Sequence, residues 1–152
     1  DEWVFERTLL HLRAVDPSPF SYEGRWYMFL SPMVVSGHAP FTFLFAAPQP
    51  WGPWTLHPEG CICSDVRRAR CAGAIIREGD RLIRPSQDGS NGYGHAVWFN
   101  EIRISEDSYE ETPCAQLAPQ MLRSIAGVHT YNRAGSWEVI DARALAPRSH
   151  VL

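Results

Sequence analysis

The sequence contains no lysine, because all 14 of its basic residues are arginine. Any cationic site in this protein must therefore use guanidinium groups, which bind carboxylates and phosphates through pairs of parallel hydrogen bonds. With 17 acidic residues the formal net charge is −3. That balance argues against a nucleic-acid partner and against a basic patch that would attach the protein to a membrane surface.

Long hydrophobic runs are also absent. No apolar stretch approaches the roughly 20 residues of a transmembrane helix, so we predict no membrane span. No secretory signal peptide is visible, and the first residue is Asp1 rather than methionine. We therefore expect a processed or excised piece, and the compartment cannot be predicted.

Cysteine is scarce and its spacing does not favour a metal site. Cys61 and Cys63 are too close for the usual zinc knuckle, and no paired histidine lies near them. The sequence favours buried thiols, with a disulfide left open for an exported protein. Phosphate-binding and dinucleotide-binding fingerprints are missing as well, so we predict neither a metal nor a cofactor.

Short runs of aromatic and β-branched residues make up most of the sequence, separated by 12 prolines and 11 glycines. This composition is typical of strands, and only residues 119–126 could form a helical turn or two. The predicted strands are Trp3–Leu10, Ser18–Tyr22, Arg25–Leu30, Phe41–Ala46, Trp54–His57, Ala74–Arg77, Arg81–Arg84, Ala96–Ile104, 110–117, Val128–Asn132 and Ser136–Ile140. We therefore predict an all-β protein.

Three segments repeat the same pattern without gaps: residues 16–29, 72–85 and 127–140. Each has a small or acidic start, a strand, a turn with Gly or Asp, and a second strand. The starts are 56 and 55 residues apart, which suits a four-stranded propeller blade with generous loops. The chain then forms a single domain of about two and a half blades. A β-sandwich with coincidental turns is the alternative.

Several stretches in the expected order resemble a known group of propellers. They are DPSPFSYEGRWYMF, WGPWTLHP, RRARCAGAIIREGDRLIRPSQD, YGHAVWFNEI and GVHTYNRAGSWEVID. The first is similar to a blade start of the five-bladed family 43 glycoside hydrolases. All five together resemble the second half of the N-terminal propeller domain of glucosamine inositolphosphorylceramide transferases. Since such a propeller needs roughly 275–300 residues, the resemblance implies a fragment, one half of a two-chain propeller, or a protomer that pairs with its copy.

The resemblance to the hydrolases also implies roles for particular positions. Asp16 falls where those enzymes carry an aspartate that tunes a pKa and orients the sugar. Ala72 falls where they carry the general-acid glutamate, and the blade with the catalytic base is missing. Inverting hydrolysis needs both an acid and a base, so the standard pair is incomplete. The structural alternative for Asp16 is a turn cap before Pro17.

Further polar residues stand near the predicted ends of the inner strands. The candidate ligand-binding residues are Arg70, Arg84, Gln87, Asp88, Tyr93 and His129. We expect four of them to converge on one pocket: Arg70, Arg84, Asp88 and His129. Guanidinium groups suit phosphate or carboxylate, and carboxylates and amides suit sugar hydroxyls. The alternatives are an Arg–Asp network that only braces the blades and a histidine that is only structural.

The sequence is compatible with three functions. The leading one is a carbohydrate-recognising, glycosidase-like propeller segment whose ligand is a sugar or a sugar carrying a phosphate or carboxylate. The second is an inverting glycoside hydrolase completed by a partner chain, in which Asp88 or Glu101 replaces the missing acid. The third is an assembly half-domain without a ligand.

The two ends of the chain predict an assembly. Trp3–Leu10 is interpreted as an outermost strand without a blade, and Val128–Ile140 as a blade without its outer strands. Unpaired strand edges favour pairing with another chain. We therefore predict a homodimer that exchanges these segments, or a partner chain that supplies the missing blades.

Overall fold

The structure is a computed structural model that describes residues 2–34, 37–38 and 41–144. Regular structure in this part is β-strand throughout, apart from one 3-10 turn at Pro119–Met121. The strands form three antiparallel sheets that follow one another along the chain. Among the described residues, no helix has the length and apolarity that crossing a membrane requires.

The first sheet, sheet 1, is built from the N-terminal third of the chain. Its strands are β1 (Ala14–Tyr22), β2 (Arg25–Val34), β3 (Gly37–His38), β4 (Thr42–Ala47) and β5 (Thr55–Cys63). The main path runs β1-β2-β4-β5, and the short β3 pairs with the end of β2. Tyr22 pairs with Arg25, so Glu23 and Gly24 form the two-residue turn that the sequence predicts.

Sheet 2 repeats this arrangement with an interrupted first strand. Its strands are β6 (Arg70–Cys71), β7 (Ile76–Glu78), β8 (Arg81–Asp88), β9 (Ala96–Ile104) and β10 (Tyr109–Leu117). Both β6 and β7 pair with β8, and the path continues through β9 to β10. The predicted strand Ala74–Arg77 is thus displaced, because the chain leaves the sheet between Cys71 and Ile76.

Sheet 3 is a two-stranded hairpin of β11 (Ile125–Ala134) and β12 (Trp137–Ala144). Two four-stranded meanders followed by a hairpin are two and a half propeller blades, so the predicted fold class is confirmed. A β-sandwich would instead link its sheets by connections that cross from one to the other.

The main core lies between the faces of sheets 1 and 2. Its buried members are Phe20, Tyr27, Phe29, Leu44, Ala46, Cys71, Leu82, Ile102 and Ile104. The rings of Phe20 and Phe29 stack with centroids 5.5 Å apart. Burying one such large side chain contributes about 1.5–3 kcal/mol, so this core holds the first two blades together. A smaller cluster of Ala72, Val97 and Val128 joins sheet 2 to sheet 3.

The predicted strand Trp3–Leu10 is wrong. Residues 2–13 contain no strand, and Trp3, Val4 and Phe5 are exposed. Only Leu10 packs, half-buried, against a cluster on the outer face of sheet 1. An apolar run becomes a strand when another strand pairs with it, and the described part of the chain provides no partner here.

Candidate functional site

Asp16 lies near the start of β1 in an unusual backbone conformation. Its φ is 54°, and the β1–β2 register shifts at this point, between Val15 and Ser18. Aspartate tolerates this left-handed region better than most residues, although the following proline disfavours helical conformations at this position. The bulge turns the carboxylate away from its own hairpin and toward sheet 2.

The Asp16 carboxylate binds two side chains of sheet 2. Arg70 donates from Nε and Nη2 to Oδ2, at 2.9 and 2.6 Å. Gln87 donates from Nε2 to the same oxygen at 3.2 Å and to the Cys71 carbonyl at 2.7 Å. Arg70 and Gln87 face each other across β6 and β8, which explains why both reach Asp16.

Arg70 leads on to the loop between β8 and β9. Its guanidinium carbon lies 5.6 Å from the centre of the Tyr93 ring, within range of a cation–π contact. The Tyr93 ring in turn lies 4.6 Å from the His129 imidazole, and the Tyr93 hydroxyl hydrogen-bonds His129 Nε2. Tyr93 thus connects Arg70 of sheet 2 to His129 of sheet 3.

Asp141 completes the connection and is not among the residues predicted from the sequence. Its Oδ2 lies 2.6 Å from His129 Nδ1. Its Oδ1 accepts the backbone N–H groups of His129 and Thr130, at 3.1 and 2.7 Å. The hairpin register could have pointed to it, since Asp141 pairs with Thr130, next to His129.

We call this connection the inter-sheet network. Its members are Asp16, Arg70, Gln87, Tyr93, His129 and Asp141. Asp16 lies near the start of β1, Arg70 begins β6, and His129 lies in the middle of β11. The network therefore joins the first strands of all three sheets.

A cleft of about 310 Å³ lies beside the network. Its lining residues come from all three sheets and are Asp16, Pro17, Ser18, Pro19, Cys71, Gly73, Ala74, Thr130 and Asn132. Ser18 Oγ donates to the Gly73 carbonyl at 3.1 Å, and Asn132 Oδ1 accepts the Ala74 N–H at 3.0 Å. The lining thus combines apolar groups of the two prolines, Cys71 and Ala74 with hydroxyl, amide and backbone groups and with the Asp16 side chain.

Two glycines allow sheet 3 to approach sheet 2 closely. A Cβ on Gly73, where φ is +140°, would lie 2.0 Å from the Tyr131 carbonyl oxygen, and one on Gly127 would lie 2.1 Å from the Gly94 oxygen. At the first contact Tyr131 N donates to the Ala72 carbonyl at 2.7 Å. The second holds the Tyr93 loop against β11.

Asp88 is not a member of the inter-sheet network. It instead binds the β8–β9 loop, which carries Tyr93. Its Oδ1 accepts hydrogen bonds from the Ser90 backbone and hydroxyl, at 2.9 and 2.6 Å. Its Oδ2 accepts from Trp98 Nε1 at 3.1 Å and from Gln116 at 3.3 Å. The structure therefore gives Asp88 a loop-supporting position, and its binding of a ligand remains a prediction.

Arg84 is not brought to the predicted pocket with Arg70. Its side chain is 0% exposed and pairs with Glu111 through Nε at 2.7 Å and Nη2 at 2.9 Å. The two-residue period of β8 places Arg84 and Gln87 on opposite faces, so only Gln87 reaches the network. The expected convergence of Arg84 with Arg70 is therefore wrong, and a ligand contact by Arg84 remains untested.

Neighbouring groups favour the charged forms of Arg84 and Asp141. Burial opposes the charged form of Arg84, yet Tyr109 and Glu111 outweigh it and raise the pKa of the guanidinium. Burial likewise disfavours ionised Asp141, but the hydrogen bonds from His129 and Thr130 prevail and lower its pKa. Within the described residues, no group of three or more His, Cys, Asp and Glu side chains is arranged to hold a metal ion.

The carboxylates that the hydrolase alternative requires are engaged elsewhere. Glu101 accepts two hydrogen bonds from Arg81, at 2.9 and 2.7 Å, on the exposed side of sheet 2. Asp88 is held by Ser90, Trp98 and Gln116. In the described part of the chain, neither carboxylate contacts Asp16.

An all-β fold of successive blade-like sheets, joined by polar residues on their first strands, defines a propeller segment. Residues 1–151 match the sequence model of the family described as "Glucosamine inositolphosphorylceramide transferase 1, N-terminal", and the chain belongs to that family.

Curated relatives named glucosamine inositolphosphorylceramide transferase 1 occur in Oryza sativa subsp. indica and japonica. Each is 30% identical over 118 residues, covering 74% of this chain. The chain spans only 16% of the length of these relatives.

A solved structure with some similarity is a family 43 β-xylosidase/α-arabinofuranosidase, CoXyl43, from a compost microbial metagenome, in complex with xylotriose. The TM-score is 0.41 and the identity is 15%, over 67% of this chain and 35% of that one.

Proposed function

We propose that this chain is a carbohydrate-recognising, glycosidase-like propeller segment without a complete hydrolytic pair of carboxylates. It forms a single partial propeller domain whose blade repeats start near residues 16, 72 and 127. The inter-sheet network carries the proposal, because it joins acceptor and aromatic groups from three sheets and its Asp16 lines the adjoining cleft. Such groups recognise sugar hydroxyls and sugar faces.

A neutral sugar is favoured over one with a phosphate or carboxylate. An anion would need a guanidinium that is not already neutralised. Arg70 pairs with Asp16, and Arg84 pairs with Glu111. Arg67 and Arg68 both pair with Asp65, and Arg68 also lies 3.8 Å from Glu111, so each guanidinium of the basic run before β6 already faces a carboxylate.

Calorimetric titration tests the proposal. The panel contains glucose, galactose, xylose and N-acetylglucosamine, each with its 1-phosphate, and the proteins are wild type and Asp16→Asn. We expect at least one neutral sugar to bind wild type and to bind Asp16→Asn about tenfold more weakly, since a hydrogen bond to a charged group contributes about 1.5–3 kcal/mol. Arg81→Gln is the matched control, because Arg81 forms an exposed pair away from the cleft; it should bind as wild type does.

A structural half-domain without a ligand is the second candidate. The observation that favours it is that Asp16 and Arg70 already satisfy each other. In that case wild type binds none of the sugars, and Asp16→Asn lowers only the free energy of unfolding. Absence of binding across the panel would therefore overturn the recognition proposal in favour of this one.

We also propose that a second copy of the chain pairs with the open end of sheet 3. In the described residues, β12 has a strand partner on one side only. Its side chains Trp137 and Val139 are 77% and 61% exposed. The exposed residues Trp3, Val4 and Phe5 are the apolar segment that the copy would supply.

A further inference from the structure

The hydrogen-bond chain from Asp141 through His129 to Tyr93 has a definite direction. This direction follows from the number of hydrogens that each group can donate. An ionised carboxylate only accepts hydrogen bonds, a neutral imidazole donates from one nitrogen and accepts at the other, and a phenol can do either. The position of one proton therefore determines the others.

Asp141 determines the first proton. Its Oδ1 accepts two backbone N–H groups, and its Oδ2 faces His129 Nδ1 at 2.6 Å. The two backbone N–H donors at Oδ1 favour the ionised form of this carboxyl group, so Oδ2 can only accept a hydrogen bond. The Nδ1 atom of His129 must therefore carry the hydrogen in this contact.

The rest follows along the ring. With hydrogen on Nδ1, the neutral His129 ring has a lone pair on Nε2, which faces the Tyr93 hydroxyl. Tyr93 must then donate its single O–H hydrogen to His129. Only lone pairs remain on the Tyr93 oxygen, so any further group that meets this oxygen has to approach as a donor.

We infer that Tyr93 is a specificity-determining residue, whose hydroxyl oxygen is held as a hydrogen-bond acceptor and selects ligand groups that donate. The inference rests on the proposed function. A sugar hydroxyl satisfies this oxygen, whereas a phosphate dianion or a carboxylate offers no hydrogen. Tyr93 is 55% exposed, so its ring reaches the solvent side of the network.

The surroundings of Tyr93 reinforce this polarity. Asp16 is a second acceptor across the Arg70 guanidinium, which lies over the Tyr93 ring. The close approach of Gly94 to Gly127 fixes the loop that carries Tyr93. Asp16 and Tyr93 therefore present acceptor oxygens from two sheets next to Arg70.

His57 provides a contrast within the same chain. Its Nδ1 accepts the Glu59 backbone N–H at 3.2 Å, and its Nε2 lies 3.0 Å from the Ser105 carbonyl. A carbonyl only accepts, so the hydrogen of His57 is on Nε2. The two histidines should therefore be opposite tautomers.

Nitrogen-15 NMR of the imidazole rings in the full chain tests the direction at about pH 8, above the ordinary imidazole pKa. The spectra of His129→Gln and His57→Gln assign the signals. We expect a protonated-type shift at His129 Nδ1 and an unprotonated-type shift at its Nε2, with the reverse in His57. Hydrogen on His129 Nε2, either alone or together with Nδ1, would overturn the inference.

Calorimetry tests the selection with the same sugars and 1-phosphates. We expect wild type to prefer each bound neutral sugar over its phosphate, and Tyr93→Phe to bind that neutral sugar about 5–10-fold more weakly, as expected for one hydrogen bond. Arg81→Gln again serves as the control. Binding without this preference, or unchanged binding by Tyr93→Phe, would overturn the inference alone. Failure of every sugar to bind wild type would overturn the proposed function and the selection by Tyr93 with it, whatever the tautomer.

Discussion

At the scale of single residues, the Arg84–Glu111 pair has the largest expected effect on stability. Arg84 is completely buried, and its guanidinium carbon lies 5.6 Å from the centre of the Phe29 ring in sheet 1. Tyr109 also donates to Glu111 at 2.6 Å. Burial is the main reason why the pKa of this phenol is raised well above its ordinary value. The pair thus joins β8 to β10 and places the Arg84 guanidinium against the core between the first two sheets.

We expect Glu111→Gln to lower the free energy of unfolding by about 3 kcal/mol, because it leaves a buried guanidinium without its counter-charge. Urea denaturation measures the change. The double variant Arg84→Met/Glu111→Leu should recover much of the loss, since it removes both charges. Glu101→Gln, which breaks an exposed pair with Arg81, is the control and should cost less than 1 kcal/mol. Equal losses in the two single variants would contradict the burial argument.

The Asp65 carboxylate should stabilise the folded protein near neutral pH and lose this effect in acid. Hydrogen bonds from the Arg67 side chain and backbone lower its pKa to about 2 from the ordinary 3.8. Because the folded-state pKa is depressed, this contribution is present above the ordinary value and is lost as the pH falls toward the folded-state pKa. Arg67 is largely exposed, so solvent screening limits the contribution to about 1 kcal/mol.

Asp65→Asn should therefore reduce stability near neutral pH by about that amount and flatten its pH dependence between about pH 4 and 2. Chemical denaturation at several pH values measures both effects. Asp107→Asn is a control on another exposed turn, where Asp107 accepts from Ser105 Oγ at 2.8 Å. A pH profile of Asp65→Asn that parallels wild type would exclude the proposed role of this carboxylate.

At the scale of elements, the interrupted first strand of sheet 2 lets sheet 3 attach. Where the chain leaves the sheet, the Ala72 carbonyl is directed to Tyr131 and Gly73 makes room for the β11 backbone. A continuous strand at this position would direct its hydrogen bonds along sheet 2 instead.

Gly73→Ala should detach the hairpin β11–β12. A methyl group at Gly73 would meet the Tyr131 carbonyl oxygen, so we expect a loss of more than about 2 kcal/mol and faster hydrogen exchange confined to sheet 3. Gly79→Ala is the matched control: its φ is +60°, and nothing lies within 4 Å of the added Cβ. It should cost about 1 kcal/mol, from the backbone conformation alone. Protection of sheet 3 unchanged in Gly73→Ala would refute the attachment.

The strands were more predictable than the contacts between sheets. Ala96–Ile104 has the same bounds in prediction and structure, because aromatic and apolar residues fill it and Gly94 precedes it. Arg70 and Asp16 are 54 positions apart, and no local pattern indicates which arginine an aspartate will meet. Arg84 illustrates the difficulty, since its pairing with Glu111 depends on which face of β8 meets the core.

At the scale of the whole molecule, the proposed pairing of a second copy with the open edge of sheet 3 predicts a dimer. Light scattering on the purified chain should show a dimer of twice 17.2 kDa rather than a monomer. Trp137→Lys should shift it toward monomer, because a charge on an exposed strand edge opposes pairing. Trp51→Lys, at an exposed position in sheet 1's β4–β5 loop, is the control. A monodisperse 17.2 kDa wild type with cooperative unfolding would rule out the exchange.

The order of strands in each sheet follows the order of the chain, and this has a consequence for synthesis. A chain emerges from the ribosome from its N-terminus, so each sheet can be built from strands made shortly after one another, without waiting for a distant segment. Sheet 1 can be complete before β8 exists, and sheet 2 can then form on its face. Blade by blade, the nascent chain adds its core in the direction in which it is translated.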